Sequence, residues 1–244
     1  MANVSKAMPV SYDFSGKVAV VTGGSKGIGR AICQQLKQSG VQVWNWDVSP
    51  APHDGVKFQQ VDVVDGKQID DAISEVRRID ILVNNAGLLG PPVSVEQLRS
   101  ADWQRVLDVN LTSVFEVCRR VVPLMKQSGW GRIVNMASVA AKEGSQTFLL
   151  IHRPARAWWR SRKLLGKELA NTAVRVNVVA PAAVDTDLIR QFSPDAINAM
   201  IARTPLNRLG TVDEVAKLVT WLCSEDCSFS TGAVFDLSGG RATY

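Results

Sequence analysis

Tyrosine is almost missing from this chain: Tyr12 and Tyr244 are its only two, one near each end of the 244 residues. Long apolar runs are missing as well. None approaches the roughly 20 residues that span a bilayer, which argues against a membrane partner. The opening stretch "MANVSKAMPVSYDF" carries one lysine and no apolar core, so it reads as a short extension, residues 1–14, and not as a secretory signal. Cysteine is sparse. Cys33, Cys118, Cys223 and Cys227 show no metal-ligand or redox spacing, so no metal site is expected and the thiols read as buried and reduced, in a cytoplasmic protein. Repeats, low-complexity tracts and linkers are also absent. Acidic residues are missing from one place in particular, the stretch "TFLLIHRPARAWWRSRK" at 147–163. Its Arg153, Arg156, Arg160, Arg162 and Lys163 equal the whole net charge of +5, so the rest of the chain is balanced and a nucleic-acid partner is not indicated.

What is present alternates. Short apolar, β-rich runs occur at 17–22, 41–47, 56–62, 79–85, 131–138, 174–181 and 232–239, with helix-period segments between them. Near-continuous apolar strands such as "VAVV" suit a parallel sheet covered on both faces. Strand–helix alternation predicts α/β architecture: one Rossmann-like, doubly wound parallel sheet of seven strands, helices on both faces, over residues 15–244. Thr211 and Glu214 form a capping box before "VDEVAKLVTWL", and "SVEQ" at 94–97 reads as a second box.

"VVTGGSKGIGRAICQQL" follows the first run and opens a helical segment. Gly23, Gly27 and Gly29 permit a tight turn and close backbone approach to a pyrophosphate, with the helix N-terminus adding a favourable dipole. Asp47 closes the second run, where a carboxylate accepts both hydroxyls of an adenosine ribose and repels a 2′-phosphate. That favours NAD over NADP. Lys26 argues the other way, because a cation in the loop can pair with the phosphate.

With these motifs the chain resembles the short-chain dehydrogenase/reductase family. "TGGSKGIG" is similar to its glycine motif, "NNAG" at 84–87 to its post-strand motif, and "VLDVNLTSVF" to the helix bearing its active-site Asn, here Asn110. "GRIVNMAS" resembles the strand ending in the catalytic serine, here Ser138, and "RVNVVAPAAVDT" the segment closing over the nicotinamide. The resemblance implies cofactor contacts from Gly23, Ser25, Lys26, Gly27, Ile28, Gly29, Asp47, Asp62, Val63, Asn85, Ala86 and Gly87. Pro181, Val184 and Thr186 would add to them. It further implies hydride exchange between nicotinamide and a secondary alcohol or ketone, a small-molecule substrate, and a homotetramer or homodimer built on two long helices near 100–127 and 150–170. "FDLSGGRATY" and "APAAVDTDL" look more like sugar or sugar-acid dehydrogenases than fatty-acid reductases; an NADPH-dependent 3-oxoacyl-carrier-protein reductase is the alternative, favoured by "SKGIG".

One expected pair is not there. The family's Tyr and the Lys four residues later, counted from Ser138, would fall near Ile151 and Ala155. Three readings compete. His152, beside the Tyr slot, could be the base, although Pro154 would disturb its helix. The chain could be a non-catalytic NAD-binding relative. Or 147–163 is a local, length-neutral shift of reading frame: the Trp158–Trp159 junction then encodes Val, a Tyr becomes possible at the Leu150/Ile151 junction, and a Lys returns at 163 at a Tyr-to-Lys spacing one residue too long. Arginines at 153, 156 and 160 would occupy the buried face of a helix on the sheet, at a cost of several kcal/mol each if unpaired.

Overall fold

The computed structural model describes residues 11–51, 54–140 and 164–242. Seven strands make one sheet: β1 (Val18–Thr22), β2 (Gln42–Asp47), β3 (Lys57–Gln60), β4 (Ile81–Asn84), β5 (Gly131–Met136), β6 (Val174–Pro181) and β7 (Val234–Leu237). Their order is β3-β2-β1-β4-β5-β6-β7 and every neighbouring pair is parallel. Each predicted run holds one strand. The apolar runs exist because the central strands are covered twice. On one face α1 (Gly27–Gln38) and α6 (Val212–Cys223) pack Ile32, Leu36, Val219 and Leu222 onto Ala19, Val21 and Val134. On the other, α2 (Gly66–Val76) and α4 (Ser113–Ser128) pack Ile69, Val121 and Met125 onto Val20, Leu82 and Ile133. Leu165, in a helical segment at 164–168, and Leu169, just past its end, join this second core.

The chain reverses its winding between β1 and β4, so a crevice opens at the carboxyl ends of the two strands. Such a switch point is where open α/β sheets bind ligands. Two further α-helices are α3 (Ser100–Leu107), which runs through a π-helical turn (Asp108–Thr112) into α4, and α5 (Pro194–Ala202).

The capping box at Thr211 is complete, with the Thr211 hydroxyl accepting from the Glu214 N–H and the Glu214 carboxylate accepting from the Thr211 N–H. The second box is not a box. "SVEQ" makes only a 3-10 turn, Val95–Gln97, which buries nothing, and α3 begins at Ser100. The Ser94 hydroxyl is used otherwise: with the Glu96 backbone N–H it holds the Glu96 carboxyl below its usual range. Leu98, extended at ψ 117°, then breaks the turn before a helix can start. Phe14, the last residue of the predicted extension, is buried in the first core.

All four cysteines are free and buried. Burial pushes the Cys33 and Cys118 thiols up to about 12. Among the described residues no helix is long and apolar enough to cross a membrane, and no group of three His, Cys, Asp or Glu could hold a metal.

Candidate functional site

The glycine loop leaves β1 at Thr22. Gly23 (φ 66°) and Gly27 (φ 53°) both adopt the left-handed conformation that a side chain would strain. Gly29 is needed for closeness instead: a Cβ there would stand 2.2 Å from the Gly23 carbonyl oxygen and 2.5 Å from Asn85 Nδ2. α1 begins after Lys26 with no side-chain cap and no acid in its first turn. Its partial positive charge is therefore left for an anion, and the loop fits a pyrophosphate.

"NNAG" braces this loop. Asn85 Nδ2 donates to the carbonyls of Thr22 (3.1 Å) and Gly23 (2.9 Å). The backbone N–H groups of Asn85 and Ala86 donate to Thr22 Oγ1 at 3.0 and 3.1 Å. Thr22 is 2 % exposed; it opens the "TGGSKGIG" motif, but its bracing role is not legible in the sequence, where its signal is a hydroxyl ending an otherwise aliphatic strand. Gly87 lies beyond, where a Cβ would meet Asn110 Oδ1 at 3.5 Å.

Asp47 sits half-buried at the end of β2. Its Oδ2 accepts from the Ser25 N–H at 3.0 Å and its Oδ1 from the Ser49 N–H at 3.1 Å, so both oxygens are held. Lys26 is exposed on the same loop. Asp62 and Val63 follow β3. Val63 is buried, while Asp62 Oδ1 accepts from the Val64 N–H (3.2 Å) and Oδ2 faces Arg105 at 3.4 Å. The Asp62 side chain is thus turned into its own loop, and the backbone is what this segment offers.

Asn110 stands in the π-helical turn, a local widening that recurs at functional positions. Its amide clasps the loop after β4: Oδ1 accepts from the Leu88 N–H and Nδ2 donates to the Leu88 carbonyl, both at 2.7 Å. Ser138 lies just past β5, half-buried, its Oγ accepting from the Ala140 N–H at 3.1 Å. Next door, Pro181 ends β6 and its carbonyl accepts from Val139 at 3.0 Å. Val184 is buried and pairs with Gly210. From there the chain reaches back to the glycine loop, so that a Cβ on Gly27 would lie 3.5 Å from Thr186 Cγ2. Ile28 is half-buried and packs against the first core. The structure therefore gathers the glycine loop, Asp47, Asn85–Gly87, Asn110, Ser138 and Pro181–Thr186 along one edge of the sheet. His152, the Ile151 and Ala155 slots and the whole stretch 147–163 lie outside the described residues.

A parallel sheet that reverses at β1/β4, with a glycine loop and an acid at the end of the next strand, defines a dinucleotide-binding α/β protein. A family model described as "Enoyl-(Acyl carrier protein) reductase" matches residues 23–242. The chain is 35% identical to "2-dehydro-3-deoxy-L-rhamnonate dehydrogenase (NAD(+))" of Sphingomonas sp. (strain SKA58), over 95% of this chain and 97% of that protein. It is 36% identical to "Acetoacetyl-CoA reductase" of Cupriavidus necator, over 92% and 97%. Among solved structures, one described as a "putative gluconate dehydrogenase" from Agrobacterium tumefaciens superposes with a TM-score of 0.90 at 27% identity, covering 96% of this chain and 98% of that one. The chain belongs to the short-chain dehydrogenase/reductase family, and it is an NAD(P)-dependent oxidoreductase of that type.

Proposed function

We propose that the protein is an NAD-dependent dehydrogenase of a sugar-acid or related polar secondary alcohol. The observation that carries the cofactor preference is Asp47, whose two carboxylate oxygens are both steered by backbone N–H groups at the end of β2. So held, the carboxylate keeps lone pairs for two ribose hydroxyls and meets a 2′-phosphate with like charge. The sugar-acid reading is supported by the rhamnonate dehydrogenase relative, whose name specifies NAD(+). A second reading, an NADPH-dependent 3-oxoacyl reductase, is favoured by Lys26 in the glycine loop and by the similarity to "Acetoacetyl-CoA reductase".

Bound nicotinamide would supply the hydride acceptor or donor. In this reading the glycine loop and the start of α1 hold the pyrophosphate, and the backbone of Asp62–Val63 borders the adenine. Asn85–Gly87 and Pro181–Thr186 border the nicotinamide half. The Ser138 hydroxyl orients the substrate oxygen, and Asn110 fixes the floor of the site through Leu88. The remaining requirement is a base for the hydroxyl proton. Its place is in 147–163, where we favour a shifted reading frame over His152 or a non-catalytic chain. We also assign a cytoplasmic location and a homotetramer or homodimer; a stable monomer by light scattering would contradict that assembly.

The test is a calorimetric comparison of NAD and NADP binding, followed by turnover with sugar acids, sugars and 3-oxoacyl thioesters. NAD binding the tighter, with oxidation of a polyhydroxy acid, is the expected result. Tighter NADP binding with reduction of a 3-oxoacyl thioester would establish the second reading instead.

A further inference from the structure

Asn45 is out of place as a strand residue. It lies in β2 between Trp44 and Trp46, pairs in register with Val21 and Phe58, and is fully buried. Its face is the one packed by α1, among aliphatic side chains. Burying an amide there is costly unless both of its ends are bonded. Both are, and neither partner belongs to the sheet. Asn45 Oδ1 accepts from the Gly24 N–H at 2.9 Å, and Asn45 Nδ2 donates to Ser25 Oγ at 3.0 Å. Ser25 Oγ passes its own hydrogen to the Ser49 carbonyl at 2.6 Å, while the Ser25 N–H donates to Asp47 Oδ2. The fit is tight, since a Cβ on Gly24 would come within 2.5 Å of Asn45 Oδ1. An amide is the one common side chain of this size that can accept at one atom and donate at the other.

We propose that Asn45 is a positioning residue for adenosine-ribose recognition: its buried amide fixes Ser25, and Ser25 fixes the carboxylate of Asp47. The inference rests on reading the end of β2 as the ribose site. It assigns that site a specificity determinant in the strand interior, which never touches the cofactor. Asn45 orders Ser25 from below; Ser25 orders Asp47 through its N–H and the following Ser49 turn through its hydroxyl. Free of that chain, Asp47 would sample several rotamers and present the ribose with one hydrogen bond where it now offers two.

The experiment is a double-mutant cycle on ADP-ribose binding, measured by titration calorimetry on the full chain. ADP-ribose carries the two hydroxyls and the pyrophosphate but no nicotinamide, so the cycle needs no turnover. Asn45→Ala should weaken ADP-ribose about tenfold, the scale of one hydrogen bond to a charged group. Asp47→Ala should weaken it by at least as much. The double variant should bind no worse than Asp47→Ala alone if Asn45 bears on ADP-ribose through that carboxylate and not through its bond to the Gly24 N–H. Discrimination against 2′-phosphorylated ADP-ribose should fall in Asn45→Ala although Asp47 is still present. Losses that add would mean that Asn45 supports the whole pyrophosphate loop, and would overturn the proposal; so would an Asn45→Ala protein with wild-type affinity and discrimination. If Asn45→Ala does not fold, Ser25→Ala decides the matter in the same cycle, since it removes the relay's hydroxyl and keeps the backbone N–H. A smaller loss, about threefold, with the same non-additivity is then expected, and an additive or absent loss overturns the relay. An Asp47→Ala chain that binds ADP-ribose as tightly as wild type would instead refute the reading of the ribose site itself.

Discussion

The two edges of the sheet use their polar side chains in opposite ways. At the amino ends they are spent on one another. Asp80, with no exposure, accepts from the Val18 N–H and from Arg78. Arg132, 3 % exposed, donates to the carbonyls of Ser224, Gly131 and Ala173 and reaches Glu225 at 3.3 Å. Lys17 and Arg132 both lie over the Trp130 ring, 3.8 and 4.5 Å from its centre, and the indole N–H also bonds Glu225. At the carboxyl ends, Asn45, Asp47, Asn85, Asn110 and Ser138 bond mostly to nearby loop backbone, which orients them without neutralising them. One edge is a clamp, where charges cancel. The other is open, and there Asp47 accepts only from the Ser25 and Ser49 backbone N–H groups and has no ion-pair partner among the described residues.

Changes at the open edge should alter ligands and rates, and changes at the clamp should alter stability. The largest expected effect is on turnover. If 147–163 is a frame shift, the protein rebuilt in the shifted frame should gain about 10²–10⁴-fold in kcat, the range of acid–base catalysis, with NAD affinity unchanged. Intact mass of the natural product identifies which frame is made. Vigorous activity from a chain whose mass includes Trp158, Trp159 and the arginines of 147–163 would make His152 the base, to be checked with His152→Ala.

Next in size is the clamp. Arg132→Ala should cost about 3 kcal/mol in urea unfolding, because several buried carbonyls lose their donor and Trp130 loses a neighbour. NAD affinity should not move, and a parallel loss of affinity would erase the distinction between the edges. Asp47→Ala should do the reverse, reducing the preference for NAD over NADP by about 1–3 kcal/mol with little change in the unfolding midpoint.

The smallest effect tests a half-exposed ion pair at the start of α6. Arg208, with Thr211 assisting, holds the Glu214 carboxyl at about 2 from an ordinary 4.5. A depressed carboxyl contributes stability that is complete above its unfolded value. That contribution should be lost as pH falls from about 4.5 toward 2, and Glu214→Gln should flatten that part of the pH–stability curve. The pair is half-exposed, so the change is small. Thr211→Ala, which opens the capping box, should cost about 1 kcal/mol in thermal unfolding.

How much of this was legible follows from the range of the interactions. The strands, the glycine loop and the Thr211 box are local patterns of period, φ or short spacing, and each stood in the sequence. Asp47 was legible because it closes an apolar run. Thr22, Asn45 and the π-helical turn were not, because their meaning comes from partners distant in the chain. Asn45 bonds Gly24 and Ser25, twenty-one and twenty residues earlier, and Asn110 clasps Leu88, twenty-two residues earlier. "SVEQ" misled for the complementary reason: its spacing is right, but no apolar face follows to hold a helix.

The buried thiols have a practical consequence. The four sit in three different mechanical settings: Cys33 beneath the glycine loop, Cys118 on the inner face of α4 against Asn84, and Cys223 and Cys227 beside the Arg132 clamp. None can be alkylated while it stays covered and protonated. The rate at which each is trapped by an alkylating reagent therefore reports how often its own part of the molecule opens. Mass mapping of the labelled peptides would give a four-point opening map of the unmodified chain, with Cys33 slowed by whatever ligand closes over the glycine loop and Cys223 indifferent to it.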